Sequence, residues 1–125
     1  MRNPRKSTYS GDTCYEVTMI LIVVKFKTKQ DWSDRWSDLV QEFTEATRAE
    51  PRNLWFEWSR SIDDPSEFVL VEAFHDDGAG PHVNSDHFKR AIREMPQALA
   101  ETPRIINTTI EGATDWSRMG ELTID

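Results

Sequence analysis

The sequence predicts an α+β domain in which the elements follow one another in the order β-α-β-β-α-β. Three observations predict this class. Four segments are rich in β-branched and aromatic residues, which favours strands. Two longer segments carry apolar residues at helical spacing. A turn that contains proline and paired aspartates joins the second strand to the third, so these two strands should form a hairpin.

The first half of the order is one strand and one helix. Met19–Lys27 is rich in valine and isoleucine and is predicted to be the first strand. Asp31 is expected to cap the helix that follows, and Pro51 is expected to end it. One apolar stripe would pack this helix on the sheet: Trp32, Trp36, Leu39, Val40, Phe43 and Thr47.

The second half repeats the pattern with a hairpin in front. The predicted elements are a strand at Leu54–Arg60, a turn at Ile62–Ser66, a strand at Glu67–His75, a helix from Pro81 to about Leu99 and a strand at Arg104–Glu111. Pro81 is expected at the first helical position, where a missing N–H does no harm. The complete order is that of the ferredoxin-like fold with an antiparallel sheet.

Residues 19–112 would therefore form one domain. Residues 1–18 are polar and without period, and we expect a disordered N-terminal extension there. Residues 113–125 form a tail that we expect to pack on the domain or on a partner subunit, through Trp116 and Met119.

Composition limits the function classes. The chain has 125 residues and a net charge of −7, which argues against binding of nucleic acid. No apolar run approaches the length that crosses a membrane. The single cysteine, Cys14, cannot form a disulfide within the chain. We therefore expect a cytoplasmic protein.

The strands are apolar on both faces, and this predicts a homodimer. In the second strand Phe56 and Trp58 alternate with Trp55 on the opposite face. Two helices can cover only one face of a four-stranded sheet. A second copy would cover the other face through a two-fold interface.

The stretch of residues 80–88 holds two of the three histidines and is the candidate catalytic site. His82 and Asp86 are four residues apart, so on one helix they could pair. His87 lies about 140° round a regular helix from His82, so the two imidazoles need not face one cavity. For the same reason the sequence predicts no metal site.

Further residues are candidate substrate contacts. Glu72 lies in an otherwise apolar strand, where a carboxylate needs a partner, and Arg60, Arg90 or the histidine helix could supply one. A buried structural pair and a substrate contact both remain open for it. Asn53 could cap a turn or offer its amide to a ligand. The remaining candidates are aromatic residues and one hydroxyl: Phe43, Trp58, Phe88 and Ser85.

Three segments, Asn53–Ser61, Val69–Phe74 and His82–Phe88, resemble the antibiotic biosynthesis monooxygenase family, and in particular its small quinol-monooxygenase-type members. The resemblance implies a dimeric α+β barrel with a pocket between each sheet and its helices. It also implies oxidation of phenolic or quinol-like molecules by molecular oxygen, without flavin, metal or another cofactor. A branch of the same fold binds and degrades haem.

Such chemistry requires a base that removes the proton of the substrate hydroxyl. Histidine is suited to this because its pKa is near neutrality. His82 is the first candidate for the base and His87 the second, with Asp86 as the orienting carboxylate. Two alternatives remain: a small-molecule-binding or stress-associated dimeric module without turnover, and a haem-binding protein.

Overall fold

The structure, a computed structural model, describes residues 6–9, 12–15 and 17–125. Its strands are β1 (Lys6–Tyr9), β2 (Asp12–Tyr15), β3 (Thr18–Lys27), β4 (Asn53–Arg60), β5 (Glu67–His75) and β6 (Arg104–Glu111). Its α-helices are α1 (Trp36–Leu39), α2 (Gln41–Arg48), α3 (Ala79–Val83) and α4 (Asp86–Glu94), and 3₁₀ turns form at Gln30–Trp32 and Met95–Ala98. The expectation of disorder over residues 1–18 falls partly outside the described residues. Within that segment β1 and β2 pair with each other.

The main sheet has the strand order β4-β5-β3-β6, and every pair in it is antiparallel. β4 and β5 form the predicted hairpin. The second helical segment connects β5 to β6, and β6 pairs with β3, so that β3 lies between β5 and β6. This topology confirms the predicted α+β, ferredoxin-like fold.

The first helical segment is broken where one continuous helix was predicted. α1 ends at Leu39, Val40 lies between the two helices, and α2 starts at Gln41. The prediction that Asp31 caps the helix is wrong, because Asp31 lies inside the first 3₁₀ turn and Lys29 is its N-cap residue. Pro51 follows the end of α2, as predicted.

The second helical segment is also broken, between His82 and His87. Ser85 has extended backbone angles (φ −74°, ψ 156°), and its Oγ accepts a hydrogen bond of 3.1 Å from the Phe88 N–H. The same hydroxyl donates to the His82 carbonyl over 2.6 Å. Ser85 is thus the N-cap of α4. Pro81 is the third residue of α3, so its prediction as a first helical residue is wrong.

The helices cover one face of the sheet and enclose the core. The largest side chains that are almost fully buried there are Trp36, Phe56 and Phe74. Trp36 packs against Phe26, Trp58 and Phe68, with ring centroids 5.3–6.0 Å apart. The alternation of apolar residues along β3, β4 and β5 predicts this arrangement.

The opposite face of the sheet is apolar as well. The register places Leu21, Val23, Val69 and Val71 together on it, all half-buried in a single protomer. Ile106, on the edge strand β6, is 72% exposed. In the C-terminal tail, the Trp116 ring contacts Trp55 with centroids 5.3 Å apart. Within the described residues, none of the helices is both long and apolar enough to span a bilayer.

Candidate functional site

One carboxylate joins the two histidines of the candidate stretch. Oε2 of Glu50 lies 2.8 Å from Nδ1 of His82 and 2.5 Å from Nε2 of His87. Glu50 is in the turn between α2 and β4, and the proline after it disfavours helical backbone at this position. The three side chains, from three separate segments, form a cluster that we call the Glu50–His82–His87 centre.

His82 is the most enclosed member of this centre, with 3% of its surface exposed. Its ring is surrounded by four phenylalanines at centroid distances of 4.8–6.3 Å: Phe43, Phe56, Phe74 and Phe88. Burial lowers the pKa of His82 below its ordinary value, although the hydrogen bond and the charge of Glu50 act in the opposite direction. The neutral imidazole is therefore favoured.

Glu72 lies beside the centre, on the strand β5. It is 6% exposed, and Oε1 is 3.8 Å from Nε2 of His82. Burial, with a smaller contribution from the charge of Glu50, raises the pKa of Glu72 to about 7. Of the three partners considered for it, the histidine segment is correct. Arg60 pairs with Asp34, and Arg90 pairs with Glu42.

A groove of about 440 Å³ lies between the α1–α2 segment and α4. His87 and Phe43 line it on the side of the centre, and Leu39 and Met95 are further apolar lining. Charged residues line it as well: Asp38, Glu42, Asp86, Arg90 and Glu94. This volume falls within the range of small-molecule sites. His82 does not line the groove, so His87 is the histidine that a bound molecule would meet.

Two predictions made from helical spacing are wrong because the helix is broken at Ser85. His82 does not pair with Asp86, which is exposed at the start of α4; the carboxylate beside His82 is Glu50. The two imidazoles do converge, with ring centroids 6.1 Å apart. The reason given against a metal site, that these histidines diverge, is therefore also wrong.

Three of the predicted substrate contacts have structural partners. The Asn53 amide donates to the carbonyls of Trp55 and Ala73, at an irregularity in the pairing of β4 with β5. The Trp58 indole donates to Oγ1 of Thr44 over 2.8 Å, and its ring lines a second groove of about 370 Å³. Ser85 caps α4. Neither Asn53 nor Ser85 lines the groove beside His87.

Glu50 is the candidate site residue that sequence reasoning missed. Its contacts to His82 and His87 span 32 and 37 residues, so no local spacing indicates them. The available signal was a carboxylate directly before the proline that ends a helix. That signal alone is weak, because acidic residues are common on solvated helix ends.

Comparison with known proteins agrees with this fold and shows which family the chain belongs to. The sequence matches the family profile of antibiotic biosynthesis monooxygenases over residues 19–94. No curated protein matches the chain.

Solved structures of similar fold come from several organisms. A candidate antibiotic biosynthesis monooxygenase from Nitrosomonas europaea is 25% identical, with a TM-score of 0.68 over 72% of this chain and 88% of that one. A conserved protein from Methanosarcina mazei Go1 is 22% identical, with a TM-score of 0.69 over 74% and 92%. A candidate antibiotic biosynthesis monooxygenase from Caulobacter crescentus CB15 is 21% identical, with a TM-score of 0.69 over 74% and 89%.

The profile covers more than half of the chain, including β3, both helical segments up to the end of α4, and all three members of the centre. The chain belongs to the antibiotic biosynthesis monooxygenase family.

Proposed function

We propose that this protein is a homodimeric monooxygenase that oxidises a small phenolic or quinol-like molecule with molecular oxygen. The observation that carries the proposal is the Glu50 carboxylate bonded to both histidines, with His87 lining the groove. Family membership supports the reaction class.

The centre is built to hold one tautomer of His87. The carboxylate of Glu50 accepts a hydrogen bond from Nε2–H of His87, which leaves Nδ1 without a proton. Among residues 17–125, Nδ1 of His87 has no hydrogen-bond partner. A carboxylate that orients an imidazole and stabilises its charged form is the usual support of a general base. The orienting carboxylate is therefore Glu50 and not Asp86, which the sequence predicted.

The proposed reaction starts when Nδ1 of His87 takes the proton of the substrate hydroxyl. The resulting phenolate is electron-rich and transfers an electron to oxygen. For a phenol with an unsubstituted ring position, one oxygen atom then becomes bonded to that carbon and the other leaves as water. The C–H and O–H hydrogens supply the water, so that a phenol and O₂ give a quinone and H₂O. The substrate supplies all the electrons.

The aromatic lining supports binding of a flat ring. Phe43 borders both the groove and His82, and its ring lies 6.2 Å from that of His87. A phenol placed against Phe43 would lie next to the base.

Oxygen uptake with a panel of hydroquinones and naphthols tests the proposal. His87→Ala should lower the rate by about 10²- to 10⁴-fold, the usual contribution of a general base. His75→Ala is the matched control, since His75 is outside the centre and should be dispensable. Uptake that is equal in wild type and His87→Ala would refute the base. Ligand binding without any uptake would instead favour a binding module.

A further inference from the structure

We infer that the Glu50–His82–His87 centre is a binding site for one divalent first-row transition metal ion. Oε2 of Glu50, Nδ1 of His82 and Nε2 of His87 all lie within 4.8 Å of one another. The inference goes beyond the proposed reaction and does not depend on it, because metal binding is measured without a substrate.

The donor set selects the class of ion. Two imidazole nitrogens and one carboxylate oxygen suit zinc, iron, cobalt or nickel, whereas magnesium and calcium prefer oxygen ligands alone. An ion about 2.1 Å from each atom needs ligand separations of about 3.0–3.4 Å. The Glu50 oxygen would have to move away from each nitrogen by less than about 1 Å, and the two nitrogens, which lie within 4.8 Å of each other, would have to reach the same range. Half-buried Glu50 and His87 have room to do so, while buried His82 stays in place.

Glu72 provides an independent observation. Only 6% of its surface is exposed, and its Oε1 has no hydrogen-bond partner among the described residues. That oxygen faces Nε2 of His82, 3.8 Å away, on the side of the ring opposite to Glu50. With a metal ion on Nδ1, Nε2 would carry a proton and could donate a hydrogen bond to Glu72. A carboxylate in this position behind a ligating histidine is a general feature of metal sites.

The charges of the site also favour a cation. Two carboxylates, Glu50 and Glu72, flank one buried imidazole. No lysine or arginine pairs with either of them in the part of the chain that the structure describes. A divalent ion would balance the charge of Glu50 and would favour the ionised form of Glu72. Because an ion on Nε2 of His87 would leave the ring proton on Nδ1, the proposed base could no longer accept a proton, and Zn²⁺ should also inhibit the oxygenation proposed above.

Isothermal titration of the full, tag-free chain with Zn²⁺, after treatment with a chelator, tests the inference. Wild type should bind one ion per chain. Glu50→Gln and His87→Ala should weaken binding by more than about a hundredfold, and Glu72→Gln by about 10- to 100-fold, the usual effect of a supporting carboxylate. His75→Ala should bind as wild type does. Near-UV circular dichroism shows whether each variant has kept its fold.

A second readout uses Co²⁺, whose visible spectrum reports nitrogen and oxygen coordination. The spectrum should appear in wild type and be lost in Glu50→Gln. The inference is wrong if folded wild type binds no ion, if Glu50→Gln and His87→Ala bind as tightly as wild type, or if only His75→Ala abolishes binding. If wild type binds Zn²⁺ but takes up no oxygen with any of the hydroquinones and naphthols, the proposed function is wrong and the metal site is still supported.

Discussion

Oε1 of Glu72 lies 3.8 Å from Nε2 of His82, and both side chains are more than nine-tenths buried. A carboxylate in such surroundings is costly in its charged form. The raised pKa of Glu72, about 7, reflects this burial first and the nearby charge of Glu50 second. The protonation state of Glu72 should therefore affect the free energy of unfolding near neutral pH.

Glu72→Gln should make the stability of the protein less dependent on pH. Since folding raises the pKa of Glu72 from 4.5 to about 7, its contribution is fully present below pH 4.5 and is lost as the pH rises through 7. The loss in wild type should be on the order of 3 kcal/mol. Urea unfolding at pH 5 and pH 8, with a chelator present, measures it.

The control for this variant is Glu45→Gln, an exposed change on α2. It should keep the pH dependence of wild type. Parallel stability curves for wild type and Glu72→Gln would show that Glu72 ionises as easily in the folded protein as in the unfolded chain.

Ser85→Ala should destabilise the protein, because it removes the cap of α4 and a bond to the His82 carbonyl. The expected loss in the free energy of unfolding is about 1 kcal/mol. Ser37→Ala, an exposed change in α1, should alter it by less than about 0.5 kcal/mol. Equal effects of the two substitutions on thermal unfolding would contradict the capping role.

The sequence was sufficient to predict the four strands of the main sheet, their order along the chain and the hairpin, but not β1 and β2. Apolar alternation in β3, β4 and β5 indicates strands that are buried on two faces, and chain order with antiparallel pairing then leaves few topologies. The prediction that Glu72 is unusual was also sound, because a carboxylate among Leu70, Ala73 and Phe74 needs a partner.

The site was predicted less well, and the physical reason is local. Between His82 and His87, Ser85 bonds the Phe88 N–H and starts a new helix, so regular helical geometry does not apply. Short polar side chains compete in this way with the backbone hydrogen bonds of a helix. The spacing of apolar residues does not show at which position such a side chain interrupts the helix. The contacts to Glu50 depend on tertiary packing and could not be predicted from spacing.

Asp64→Asn should weaken the protein at neutral pH but not in strong acid. The hydrogen bond from Lys27, followed by those from Ser66, lowers the pKa of Asp64 to about 2. Its contribution is therefore present above pH 3.8 and is lost as the pH falls towards 2. Urea midpoints between pH 2 and pH 6 measure the effect. Asp63→Asn, at the exposed neighbouring position, should leave the fall of the urea midpoint at low pH unchanged. If Asp64→Asn shows the same fall as wild type, Asp64 is not the group responsible.

Val71→Glu should convert the proposed dimer to a monomer. Val71 lies in the middle of the sheet face that the helices leave uncovered, where a charge would be buried between two copies. Ile62→Glu is the control, since Ile62 is fully exposed in the turn before β5. Sedimentation should give twice the 14.5 kDa chain mass for wild type and Ile62→Glu, and one chain mass for Val71→Glu. A wild-type protein that sediments as a single chain would refute the proposed dimer.

The proposed base and the proposed metal site both require that Glu50 holds His82 and His87 in one centre. Nitrogen NMR of the three imidazoles tests this directly. Spectra of chelator-treated wild type and Glu50→Gln should differ for both His82 and His87, whose ring nitrogens lose a charged acceptor, and agree for His75. Imidazole signals of His82 and His87 that are unchanged by Glu50→Gln in a folded protein would contradict the centre.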